Sequence, residues 1–399
     1  MKPVPVLMAV LLWLAGCFQA LLAAEGAAAE KPYPPMVRMG EAKFNDWLTR
    51  WQRNIIADAR NRYCDKAMGE DIGWLMTPFT DGFYYGYLAT KDPRWVDMSV
   101  DWTDSWVKRA VKEPDGCLGW PKFEAAGTKV DNLDDFNADS MLGEAMVLRG
   151  VVLMAGEIRK TPALRKKYGD KAESYLRLAE QIYVKWDRRG GWRETEHGGI
   201  ISLVLPYGID GATGKWTAGY ATRNAPGHGF SHPDNKANLV ARWLLAMSDA
   251  TGKPLYKERA EKWFKLMKSR MKPKANGTYE VWNYWQPAGP WDYKPDGSPK
   301  HWVGVHPNPG YYEVDTAAIV DAYEHALVFN RQDIDRLIAT ALAEKRYWEA
   351  LAPCSAEIQK KFEESMKPDS WGGLSAAPRY LMLQASGQQR PARRRSDAP

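Results

Sequence analysis

Three stretches of the 399-residue chain carry side chains whose types and spacing could do chemistry. The first is Asp131-Asn-Leu-Asp-Asp-Phe-Asn137-Ala-Asp139. Acids at a helix start often cap it, and Asp134 or Asp135 would serve as an N-cap. Asn137 is harder to assign to capping, because an amide facing a cavity can bind a substrate carboxylate or hydroxyl. The second is Arg223-Asn224-Ala-Pro-Gly-His228-Gly-Phe-Ser-His232-Pro-Asp-Asn235, with two of the six histidines four residues apart. Gly229 and Pro233 argue against a helical metal pair, and no third ligand follows at a recognisable spacing. No metal and no cofactor is expected, and no calcium ligand loop occurs. The third is Tyr279-Glu-Val-Trp-Asn-Tyr284-Trp, followed by His301-Trp302, His306 and Tyr311-Tyr312-Glu313-Val-Asp315.

These sets suit two reactions on sugars. In β-elimination on a polyuronate, Asn or Arg neutralises the carboxylate, His or Tyr removes the C5 proton, and Tyr or His protonates the leaving oxygen. Asn137, Arg223, His228 or His232, and Tyr284 or Tyr312 supply those types. In hydrolysis, two carboxylates flank the scissile bond, and Asp135, Asp139, Glu313 and Asp315 are available. A non-catalytic glycan-binding protein would need only aromatic platforms. Nineteen tryptophans are the compositional outlier. Rigid rings beside polar groups suit the apolar faces of sugars. Trp120, Trp282, Trp285 and Trp302, with Asn235 and His306, are the candidate substrate contacts. No Walker A, GxGxxG, GxSxG or HExxH pattern is present, which argues against nucleotide, serine-hydrolase and zincin chemistry.

The elements that must position these residues read as repeated helical hairpins. Tyr256, Ala260, Trp263, Phe264, Met267 and Met271 form one apolar stripe at helical spacing, just after Leu239 to Ala250, which is apolar on nearly every side. Asp249-Ala-Thr-Gly-Lys-Pro254 joins the two. Similar joints fall near residues 92, 161 and 331, and helices at Phe44–Tyr63 and Leu374–Leu383 would complete the set. An apolar inner helix, a tight turn and an amphipathic outer helix, repeated, predict an all-α fold, an (α/α) toroid, over residues 40–387. A helical solenoid is the rival. Three long Gly/Pro/Trp-rich inserts, 113–134, 189–233 and 272–310, each run into an inner helix, so they should crowd one rim.

The chain ends read differently. Residues 1–24 resemble an export signal: Lys2, then an apolar run from Val4 to Leu22, then small residues. Leu14-Ala15-Gly16-Cys17 also resembles a lipoprotein box, which would give a lipid anchor at Cys17. The expected location is periplasmic, outer-membrane lipoprotein or secreted. Residues 25–39 read as a linker, and 388–399 as a disordered basic tail. Lys2 and that tail account for most of the net charge of +6, so the body is close to neutral and no nucleic-acid partner is implied. With four cysteines and no Cys-x-x-Cys pair, a disulfide framework is excluded.

The export signal, the hairpins and the Asn, Arg, His and Tyr set together resemble the helical-toroid polysaccharide lyases, the group of alginate and glucuronan lyases. The resemblance implies an anionic polysaccharide substrate. It maps Asn137 and Arg223 to carboxylate neutralisation, His228 or His232 to the base, and Tyr284 or Tyr312 to the acid. The Asn-Asn-His motif of one such family is absent, and Asn224…His228 is a distant echo of it.

Overall fold

The computed structural model describes residues 32–113, 115–120, 140–204, 207–209, 216–218 and 230–387. Residues 1–24, read above as an export signal, with Cys17, and the basic tail lie outside the described residues, as do Asn137, Arg223, His228, Asp135 and Asp139.

Among the described residues eleven α-helices carry the fold: α1 Glu41–Ala59, α2 Asp71–Thr90, α3 Arg94–Lys108, α4 Leu142–Lys160, α5 Pro162–Arg188, α6 Asp234–Thr251, α7 Pro254–Arg270, α8 Gly310–Glu324, α9 Arg331–Ala343, α10 Ala356–Ser365 and α11 Trp371–Ser386. Helices α2, α4, α6 and α8 pack side by side in that order, a 3-10 segment (Glu349–Cys354) follows α8, and α11 returns to pack on α2. The inner elements therefore form a closed ring. Helices α3, α5, α7, α9 and α10 back them from outside. The sixth outer position is filled by α1, which packs on α11, so the last hairpin pair is made by the two ends of the described chain. The fold is the expected all-α toroid of helical hairpins.

Sequence explains which helix goes where. Inner helix α4 is buried without a break from Leu142 to Val152, as a helix apolar all round must be. Outer helix α7 buries the stripe Tyr256, Ala260, Trp263, Phe264 and Met267 and leaves its charged face in water. Pro162 and Pro254 open α5 and α7, where a missing N–H costs nothing. Gly252 ends α6 with φ of 71°, and Asn330 with Asp333 forms a capping box on α9. Helices α2 and α4 approach closely because Gly150 has no side chain; a Cβ there would stand 2.5 Å from the carbonyl carbon of Thr80.

The three inserts precede inner helices in the chain, and the N-terminal ends of those helices share one rim. The first begins with a hairpin, β1 Val111–Lys112 and β2 Leu118–Gly119. A buried charge network clamps its root: Lys185 donates to Glu144 (2.5 Å) and to the Leu118 carbonyl (3.0 Å), while Arg189 pairs with Glu113 and with Asp115 (2.8 Å). The second holds two further hairpins, β3 Trp192–Thr195 with β4 Gly198–Ile201, and β5 Tyr207–Ile209 with β6 Trp216–Ala218. The third, 271–309, is pinned by isolated bridges, among them Trp285 with Gly304 and Tyr293 with Pro299. Buried Asp292 ties the second and third together, accepting from the backbone N–H groups of Ser231 and Ala288, both at 2.8 Å.

Candidate active site

A cavity of about 320 Å³ opens at the rim where the inner helices begin. Its mouth is formed by Trp74 in the first turn of α2, Gly310 at the start of α8 and Trp371 at the start of α11. Trp74 is half-buried, and its indole N–H donates to Glu70 (2.8 Å), which Lys236 also holds (2.7 Å). Trp371 is 46% exposed and has Tyr63 and Phe79 edge-on against it. Two indoles at a cavity mouth offer apolar faces where a sugar ring could stack.

Deeper in, the walls become charged. Arg149 of α4 pairs with Asp81 of α2 and donates to the Tyr85 hydroxyl (3.1 Å). Arg242 of α6 donates to Asp321 of α8 (2.7 Å), and Arg149 lies 3.9 Å from the same carboxylate. Arg379 of α11 reaches both oxygens of Glu349 at 2.8 Å. Burial opposes ionisation of Asp321, but Arg242 and Arg149 outweigh it and hold the carboxyl below its ordinary range. Three arginines thus face three acids.

Glu313 is the fourth acid. It lies in the first turn of α8 and lines the cavity, and no hydrogen bond or ion pair holds its carboxyl among the described residues. Its pKa is pushed up to about 7, chiefly by burial and further by the negative charge of Glu349, with Arg242 pulling the other way. An acid in the first turns of a helix would ordinarily be stabilised as the anion. Here desolvation overrides that preference, and Glu313 carries a proton near neutral pH.

Asp315, two residues on, points away from the cavity. It is buried, accepting from Asn238 Nδ2 (2.7 Å) and Trp282 Nε1 (2.8 Å), and burial with the charge of Asp234 pushes it up to about 7. Of the carboxylates that the sequence offers for hydrolysis, Glu313 is the one that the described structure brings to the cavity.

The other sequence candidates separate into two groups. Trp120, Trp282 and Trp285 are buried, so they are corrected from sugar platforms to core. Trp120 stacks on Trp106 at 3.9 Å, and the Trp285 N–H donates to the Ser231 carbonyl (2.9 Å). Tyr312 is also corrected: it is buried, and its hydroxyl donates to the Trp282 carbonyl (3.1 Å) while accepting from the His306 N–H (2.8 Å). That leaves it no proton directed at a ligand. His232 and Asn235 are buried and do not line the cavity. Among the described residues His232 Nε2 and both amide atoms of Asn235 have no hydrogen-bond partner, and burial drives the imidazole well below its ordinary pKa, with Lys236 adding to the effect.

Accessible candidates gather on the third insert. Tyr284 is half-buried, stacked on Tyr311 (5.2 Å) and tilted against His306 (4.9 Å). Burial, with Tyr311 and the acids Glu70 and Asp315, pushes its hydroxyl up to about 12. Tyr284 therefore keeps its proton and can act as an acid. Trp302 is 51% exposed and packs edge-on against His306. Sequence reasoning missed Trp74, Asp81, Arg149, Arg242, Glu349, Trp371 and Arg379. Among the described residues no group of three or more His, Cys, Asp or Glu side chains is placed to hold a metal, and no helix is long and apolar enough to cross a membrane.

No family model matches the sequence, and no curated protein does. Among solved structures, the fold is similar to a glycosyl hydrolase family 88 protein from Bacteroides vulgatus, with a TM-score of 0.44 at 10% identity, covering 88% of this chain and 99% of that one. It is also similar to an inactive variant of the α-1,6-mannanase of Salegentibacter sp. HEL1_6 in complex with α-1,6-mannotriose, with a TM-score of 0.41 at 10% identity, covering 86% and 88%. These are distant likenesses of overall shape, and neither assigns an activity to this chain.

Proposed function

We propose that the protein is a glycan-cleaving enzyme in which Glu313 acts as the general acid of a glycoside hydrolysis. The observation that carries this reading is a carboxyl with a pKa of about 7, without a hydrogen-bond or ion-pair partner among the described residues, in a cavity whose mouth bears Trp74 and Trp371. Glycosidases need two carboxyl groups in contrasting environments, one protonated and one charged. Glu313 is the desolvated member. Glu349, anchored by Arg379, is the charged neighbour that raises it. In the reaction Glu313 gives its proton to the glycosidic oxygen as the C1–O bond breaks. The negative charge of Glu349, paired with Arg379 on the belt, stabilises the developing oxocarbenium ion. Water then adds to C1 and releases a proton, so the products are two shorter sugars.

Loss of the general acid should cost roughly 10²–10⁴-fold in kcat in Glu313→Gln. Wild-type activity should fall as pH rises through about 7, the value at which the proton is lost. A variant with unchanged kcat and an unchanged alkaline limb would reject Glu313 as the acid.

A second reading is β-elimination on an anionic polysaccharide, as the sequence resemblance implies. Its support among the described residues is Tyr284, protonated and half-exposed beside His306 and Tyr311. Incubation with alginate, glucuronan, pectate, glycosaminoglycans and neutral glycans separates the two. Elimination leaves a conjugated double bond that absorbs in the ultraviolet, whereas hydrolysis gives new reducing ends without absorbance.

A further inference from the structure

A toroid has an axis, and whether that axis is open decides how a polymer can lie in it. Here two cavities occupy it. The first, of about 320 Å³, is lined by the N-terminal halves of the inner helices. The second, of about 220 Å³, is lined by their C-terminal halves, including Leu153, Asp249, His325 and Met382. The residues common to both are Tyr85, Arg149, Arg242 and Arg379, one from each of α2, α4, α6 and α11. These are members of the ion-paired belt, knitted by Arg149 to Asp81, Tyr85 and Asp321, by Arg242 to Asp321, and by Arg379 to Glu349. The belt is a partition across the axis.

We infer that the Glu313 cavity is a blind pocket that receives one end of a glycan chain, so that the enzyme removes small units from a terminus instead of cutting internally. The inference rests on the hydrolase reading above and adds its mode of action. Glu313 stands near the mouth, and on α2 Asp81, paired with Arg149 of the belt, lies seven residues beyond Trp74, about 10 Å of helix rise. The space between can hold roughly one or two sugar rings, in keeping with a cavity at the small end of ligand pockets. Paired guanidinium and carboxylate groups on its floor present fixed donors and acceptors to the hydroxyls of a terminal sugar. A chain running through would have to break buried ion pairs, each of which leaves a desolvated charge when opened.

The test uses the full chain and reducing-end-labelled oligosaccharides of defined length, prepared from whichever polymer of the panel above gains reducing ends. One small product of constant size should accumulate from the earliest times while the labelled chains shorten stepwise. An oligosaccharide carrying bulky blocking groups at both ends should be cut at least 100-fold more slowly. Early fragments of intermediate length, or ready cleavage of the blocked chain, would overturn the blind pocket and leave hydrolysis standing. If no polymer gains reducing ends, the hydrolase reading falls, and the inference with it.

Discussion

Glu313 and Asp315 are both carboxyls raised to about 7, yet their surroundings give them different work. Asp315 is enclosed and accepts from two N–H donors, so it cements α8 to α6 and to the third insert. Glu313 faces open volume. Its raised pKa has a thermodynamic signature independent of any substrate. The folded state holds the proton up to about pH 7 while the unfolded chain releases it near the ordinary glutamate value, so wild type loses stability as pH rises between those two limits. Glu313→Gln has no such proton to lose. Its stability relative to wild type should therefore rise by about 1–3 kcal/mol from pH 4.5 to 7 and stay level above, as measured by denaturant unfolding at each pH. A pH-independent difference would mean that the Glu313 carboxyl is not shifted. At the mouth, truncating Trp74 or Trp371 to Ala should raise KM roughly 3- to 10-fold with little change in kcat, the loss of about 0.5–1.5 kcal/mol of ring stacking.

At the scale of elements, glycine packing sets how closely the inner helices approach. Gly150→Ala would push a methyl into the Thr80–Asp81 backbone, at 2.5 and 2.6 Å. Backbone cannot move aside as a flexible side chain can, so we expect a loss of roughly 1–3 kcal/mol in thermal or denaturant unfolding, together with reduced activity because Asp81 is displaced. The hairpins themselves were legible in the sequence: the Tyr256 to Met267 stripe, the Pro162 and Pro254 openings and the Gly252 stop each have a local physical cause. The pocket was less legible. Its best signal was a charge in the middle of four inner helices, Asp81 in α2, Arg149 in α4, Arg242 in α6 and Arg379 in α11. A charge there is tolerated only with a partner across the ring, and sequence periodicity does not report which helix supplies it. The aromatic inserts misled for the opposite reason. Tryptophan suits a sugar face and a protein core equally, and burial of Trp120, Trp282 and Trp285 is decided by tertiary neighbours such as Trp106 and Phe230.

For the whole molecule, the belt is at once the floor of the pocket and a brace across the ring. Arg149 is buried and pairs with Asp81, so Arg149→Ala would leave the largely enclosed Asp81 carboxylate uncompensated, while Asp321 keeps Arg242. The expected cost is about 3–5 kcal/mol in denaturant unfolding, several times that of removing an exposed pair such as Lys167–Asp97. Equal losses for the two would mean that the belt does not bear on stability.

The sixth hairpin pair, which joins α1 to α11, sets an order of events in time. Segment 32–40 is bound to the far end of the chain: the Val37 N–H donates to Gln359 and the Met39 N–H to Gln384, both at 2.9 Å. Of the described helices, ribosomes deliver α1 first and α11 last, more than 300 residues apart. During synthesis α1 therefore waits beside an α2 whose other flank is bare, and Arg379 is not yet made to meet Glu349. Closing so long a loop is a late and slow step. The nascent chain has no completed pocket until α11 arrives, so a stop codon before α11 would release an open arc with its apolar inner faces exposed to chaperones and proteases.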